Sequence, residues 1–208
     1  MTTYSYLALG DSYTIGEQVP LAESFPYQTL QLLRKKDISL DNHQHVFAAP
    51  EIIAKTGWTT DELTAAIGQT IFLPKYDMVS LLIGVNNQYR GRAVDEFKKE
   101  FEVLLQMAIQ FAGAVAKNVY VLSIPDWGVT PFAKDRGTKK IATEIDLYNN
   151  VCEKVSADFR THYINITSDQ RTDADDVECL APDGLHPSGK EYKKWAIKLS
   201  QLISGQLT

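Results

Sequence analysis

A chain of 208 residues, 44% hydrophobic and 23% charged, has an ordinary globular composition and is long enough to bury a sizeable core without a metal or a disulfide. Its formal net charge of -5 lacks the basic footprint of a nucleic-acid binder, so no nucleic-acid partner is expected. No apolar run approaches the roughly 20 residues of a membrane span, and four histidines with two cysteines outside any CxxC spacing give no reason to expect a metal or other cofactor.

The first element is the apolar run of residues 4–9, which stops at Gly10 in the manner of a buried strand. Asp11 and Ser12 follow at once, where the chain must emerge on a turn. Residues 25–36 read as a helix whose basic last turn suits its dipole. A second strand lies within 45–54, with ragged limits. Thr59-Thr60-Asp61-Glu62-Leu63 opens a helix, because hydroxyl and acidic side chains at its start satisfy free N–H groups. Residues 77–83 are almost continuously apolar and end at Gly84, as suits a strand covered on both faces.

From Val94 to Phe111, apolar residues recur at three- and four-residue steps (Phe97, Phe101, Leu104, Leu105, Ala108), the mark of a long amphipathic helix. The next strand, 119–124, stops at Pro125. About a dozen aperiodic residues follow, Asp126 to Gly137, a length associated with functional loops. A helix over 139–159, a short strand at 163–166 and a closing helix over 188–203 complete the chain.

Strand alternating with helix five times predicts an α/β fold. The expected form is a three-layer α/β/α sandwich on a flavodoxin-like, five-stranded parallel sheet. No repeat, low-complexity tract or composition shift marks a boundary, so residues 1–208 read as a single domain. The start of the chain has no basic and apolar leader, which predicts a cytoplasmic protein, or a secreted one from which a signal peptide was removed.

Four short stretches fall at strand ends or helix entries. Gly10-Asp11-Ser12 is by itself turn chemistry, since Asp and Ser are ordinary helix caps. Exposed at a strand end, Ser12 would also be a nucleophile, provided a base takes its proton. Asp183-Gly184-Leu185-His186 supplies one: a glycine within the turn lets the carboxylate reach the imidazole, fix its tautomer and leave the other nitrogen free. Read alone, it is a capping aspartate beside a surface histidine. Gly57 and Asn86 would suit a developing oxyanion as a bare backbone N–H and a side-chain amide. Alone, they are a tight turn and an Asx turn.

Together, these blocks resemble those of the SGNH hydrolases, the GDSL-type esterases and lipases, in order and spacing from Tyr4 to Ile203. The resemblance implies Ser12 as nucleophile, His186 as general base and Asp183 as its orienter. It implies an oxyanion hole made by the backbone N–H groups of Ser12 and Gly57 with the Asn86 amide. It also implies metal-free hydrolysis of a small-molecule ester through an acyl-enzyme, on a flavodoxin-like fold. The chain departs from the family at Tyr13, where leucine is expected, and at Asn87, where aspartate is frequent. Without a lid-sized apolar insertion, a small or short-chain ester is the expected substrate. A thioesterase or acyltransferase would use the same residues, and a non-catalytic binding domain would share the fold. Tyr89, Arg90, Trp127 and Phe132 are the candidates for lining the substrate pocket. Lys193 and Lys194 read as a solvated helix face.

Overall fold

The computed structural model describes residues 2–39 and 45–206. In chain order the strands and helices are β1 (Thr2–Tyr4), β2 (Tyr6–Gly10), α1 (Ser12–Ile15), α2 (Phe25–Ser39), β3 (His45–Phe47), β4 (Glu51–Ala54), α3 (Thr60–Ile67) and β5 (Met78–Leu82). Then come α4 (Val85–Tyr89), α5 (Val94–Phe111), β6 (Val119–Leu122), α6 (Thr138–Asp158), β7 (His162–Ile164), α7 (Thr167–Thr172) and α8 (Gly189–Ser204).

Every residue of β2, β5 and β6 is buried, which is why their sequences are apolar without alternation. These strands form the middle of a five-stranded, wholly parallel sheet in the order β4–β2–β5–β6–β7. That is the flavodoxin-like order expected from the alternation. Helices α2 and α8 pack together, while α5 packs against α3 and α6, so the sheet is covered on both faces. On α5 the predicted stripe of Phe97, Phe101, Leu104, Leu105 and Ala108 is buried. Each large side chain in it contributes about 1.5–3 kcal/mol by leaving water.

The 45–54 stretch divides into two strands. Residues 45–47 pair with β1 in a separate two-stranded sheet, and 51–54 pair with β2. Pro50 lies between them, and a residue without an N–H cannot continue a ladder as donor. Lys194 differs from expectation too. Its ammonium lies 2.7 Å from Asp173 and 2.9 Å from the buried Glu191, so it is an ion-pair partner and not part of a solvated face. Among the described residues, no helix is long and apolar enough to cross a membrane.

Candidate active site

The register of the sheet decides where the four sequence blocks meet. Gly10 is opposite both Ala54 and Leu82, Leu81 is opposite Val121, and Leu122 is opposite Ile164. The carboxyl ends of the five strands therefore form one row. Whatever follows Gly10, Ala54, Leu82 and Leu122 emerges along the same edge, where ligands bind in open α/β sheets.

Ser12 is the first residue of α1, directly after that row. Asp11 caps the helix: its Oδ1 accepts the Tyr13 N–H at 3.1 Å. Ser12 is only 5% exposed, yet it lines a cavity of about 220 Å³. Asp11 is itself buried, and among the described residues its Oδ2 has no hydrogen-bond partner. Burial pushes the Asp11 carboxyl up to about 7, against the opposing effect of the Tyr13 N–H.

His186 reaches the same cavity from the loop before α8. Its Nδ1 lies 2.6 Å from Asp183 Oδ2, while Asp183 Oδ1 accepts the backbone N–H groups of Leu185 and His186, both at 3.0 Å. Partial burial raises the Asp183 pKa, but the His186 ring and the two N–H groups outweigh it and hold the carboxyl below its ordinary value. The loop is closed by an Ala181 N–H to His186 carbonyl bond of 2.8 Å and by a bridge between Leu180 and Pro187. The expected Asp183–His186 contact is thus present, on a turn braced by backbone hydrogen bonds.

Gly57 and Asn86 line the same cavity. Gly57 has φ of +84°, a conformation that an L side chain rarely adopts. Gly84 is more constrained, because at φ of +126° an added Cβ would stand 2.7 Å from Phe97 and Ile124. Only glycine lets β5 turn there into α4 and deliver Asn86. The Asn86 Nδ2 donates to the Trp58 carbonyl at 2.9 Å, which orients the amide and leaves its second hydrogen free.

Asn87, the second departure from the family pattern, is fully buried and does not line the cavity. It accepts the Thr60 N–H at 3.1 Å and donates to Thr60 Oγ1 at 2.6 Å, joining α4 to the start of α3. Its amide also faces Glu100 at 3.5 Å, so a donor rather than another carboxylate stands beside that acid.

Of the four pocket candidates, Tyr89, Trp127 and Phe132 line the cavity and Arg90 does not. Arg90 Nη2 instead donates to the Gly57 carbonyl at 2.6 Å and lies 3.3 Å from Glu62, so it clamps the Gly57 turn. The three aromatics form one wall, with Trp127 edge-on to Tyr89 at 5.3 Å and to Phe132 at 6.0 Å between ring centroids. Trp127 Nε1 donates to Gln88 Oε1 at 2.7 Å. Behind it, Asp126 accepts Arg171 Nε at 2.8 Å, and the Asp126 N–H meets Gln170 at 2.8 Å. The loop over 126–137 is therefore anchored by side chains from α4 and α7.

Thr56, Val85 and Leu185 also line the cavity and were not singled out from the sequence. Each adjoins a motif residue, and that adjacency is the signal that would have found them. Among the described residues, no group of three His, Cys, Asp or Glu side chains is disposed to hold a metal ion.

Residues 8–194 match the sequence model of the GDSL-like lipase/acylhydrolase family. The spore germination lipase LipC of Bacillus licheniformis is 22% identical over 226 aligned residues, covering 99% of each chain. Among solved structures, a lipase/acylhydrolase from Enterococcus faecalis superposes with a TM-score of 0.71 at 20% identity, covering 100% of this chain and 98% of that one. The acetylxylan esterase Axe2 of Geobacillus stearothermophilus gives 0.71 at 18% identity, covering 98% and 96%.

Proposed function

Starting from the chain's membership of the GDSL-like lipase/acylhydrolase family, we propose that it cleaves small or short-chain acyl esters, acetyl esters included, through an acyl-enzyme on Ser12. The observation that carries this reading is the convergence on one cavity of Ser12, His186, Gly57 and Asn86, with Asp183 bonded to the far nitrogen of His186.

In this reading Ser12 Oγ attacks the ester carbonyl as His186 Nε2 takes its proton. Asp183 holds Nδ1–H and stabilises the imidazolium that forms. The carbonyl oxygen gathers negative charge among the backbone N–H groups of Ser12 and Gly57 and the free Asn86 hydrogen. His186 then returns the proton to the leaving alcohol, and water repeats the sequence on the acyl-enzyme. No step needs a metal or a redox group. Residues 1–208 act as one catalytic domain whose partner is the small ester. A cavity of about 220 Å³ lies below the roughly 300–1,000 Å³ of sites for drug-sized ligands, which favours a small substrate.

Hydrolysis of p-nitrophenyl acetate, butyrate, octanoate and palmitate by wild type and Ser12→Ala tests the proposal. Rates that fall with chain length and vanish in the variant are expected. Activity retained by Ser12→Ala would remove Ser12 as nucleophile, and a preference for palmitate would overturn the small-substrate reading.

A further inference from the structure

The rim of the cavity beside Phe132 carries a charge that the chemistry above does not use. Residues 134–140 hold Lys134, Arg136, Lys139 and Lys140 against the single acid Asp135, in a chain whose formal net charge is -5. All five side chains are exposed. Arg136 stands out within this group. Arg90, Arg92 and Arg171 each meet a carboxylate, whereas no carboxylate of the described residues lies within ion-pair distance of Arg136. Its guanidinium lies 4.3 Å above the centre of the Phe132 ring, and its Nη1 donates to the Tyr89 hydroxyl at 3.2 Å. Both aromatics line the cavity of Ser12.

A cation is thus held at the edge of the pocket by two residues of its aromatic wall, and among the described residues no carboxylate pairs with it and only one of its five N–H donors has a side-chain partner. We propose that Arg136 binds a negatively charged group on the substrate, so that the preferred ester carries a carboxylate or phosphate away from the scissile carbonyl. This rests on the reading of Ser12 as the nucleophile. The planar guanidinium fork suits such an anion, and stacking on Phe132 limits the orientations it must give up on binding. Lys140 pairs with Glu144 at 3.7 Å, but Lys134 and Lys139 add positive charge to the same exposed segment, which favours encounter with an anionic ester.

Two matched pairs of esters test this. Phenyl acetate against para-acetoxybenzoate places a carboxylate on the alcohol side; p-nitrophenyl butyrate against mono-p-nitrophenyl succinate places it on the acyl side. In at least one pair the wild type is expected to favour the charged ester in kcat/KM, and the favoured pair identifies the side that faces Arg136. That charged-to-neutral ratio should fall roughly tenfold in Arg136→Gln, the size of one charge-assisted hydrogen bond, and should also fall in wild type as salt is added. A wild type with no charge preference in either pair overturns the proposal, as does a preference that survives Arg136→Gln. Neutral esters cleaved without charge preference would leave Ser12 standing and remove only Arg136. Activity persisting in Ser12→Ala would strike the nucleophile assignment itself.

Discussion

The turn bearing Ser12 and the loop bearing Phe132 face one cavity and are built by different means. Ser12 lies two residues beyond a fully buried strand, on a helical turn capped by Asp11, so its position follows from the sheet. The 126–137 loop contains only two short 3-10 turns, at Trp127–Val129 and Pro131–Ala133, and depends on Gln88, Gln170 and Arg171 for its anchoring. One further bond, from the Phe132 N–H to the Gly184 carbonyl at 3.1 Å, ties it to the turn between Asp183 and His186. Ser12 and Asn86 are thus placed by turns that leave the sheet directly, whereas Trp127 and Phe132 are placed by a loop held through side-chain bonds and one bond to the turn that carries His186.

Substitutions on the two sides should therefore fail in different ways. Among the groups proposed to carry the chemistry, His186→Gln removes the proposed base and should lower kcat by roughly 10⁴-fold or more, read in steady-state hydrolysis of p-nitrophenyl acetate. Asn86→Ala removes one proposed oxyanion donor and should cost roughly 10²–10³-fold in kcat with little change in KM. Near-full kcat in Asn86→Ala would take that amide out of the oxyanion hole.

On the loop side, Phe132→Ala should alter KM and chain-length preference more than kcat for acetate, because Phe132 forms wall and supplies no reacting atom. A loss confined to kcat would erase the distinction between the two regions. Trp127 is buried to 5% exposure as well as lining the cavity, so Trp127→Ala should also cost about 3–5 kcal/mol in a denaturant titration.

The smallest expected effect is at Asp11, the buried cap that precedes Ser12. Asp11 has its carboxyl raised to about 7 in the fold, above the roughly 3.9 of an unfolded aspartate. The folded state then holds the extra proton between those values, so the contribution of Asp11 to stability is greatest below about pH 4 and declines as pH rises toward 7. Asparagine caps a helix about as well and carries no charge. Asp11→Asn should therefore melt several degrees above wild type at about pH 8, with the gap narrowing toward about pH 5. A gap that widens toward acid would mean that Asp11 is better buried charged than neutral.

Much of this architecture was legible in the sequence. Uninterrupted apolar runs declare strands buried on both faces, and the repeat from Phe97 to Ala108 declares an amphipathic helix. The alternation of the two leaves few topologies, and the strand order expected from it is the one observed. Ser12, Gly57, Asn86 and the Asp183–His186 pair became candidates on a different ground: each block alone is ordinary turn chemistry, and only their shared order and spacing, through the family resemblance, singled them out; the fold then brings Ser12, Gly57, Asn86 and His186 to one cavity.

What the sequence did not contain is the set of partners brought together from far along the chain. The bond from Trp127 to Gln88 spans 39 positions, that from Arg90 to Gly57 spans 33, and that from Arg136 to Tyr89 spans 47. No local period or cap signals such contacts, because they arise only when the parallel strands bring their carboxyl ends into one row. For that reason Arg90 reads as a pocket residue in sequence and is a clamp in the fold, while Arg136 passes unnoticed until Phe132 and Tyr89 hold it at the rim. Local pattern determined the strands, the helices and the chemical groups. Only tertiary packing decided which charges face the cavity, since that depends on contacts across the sheet edge and not on any residue's neighbours in sequence.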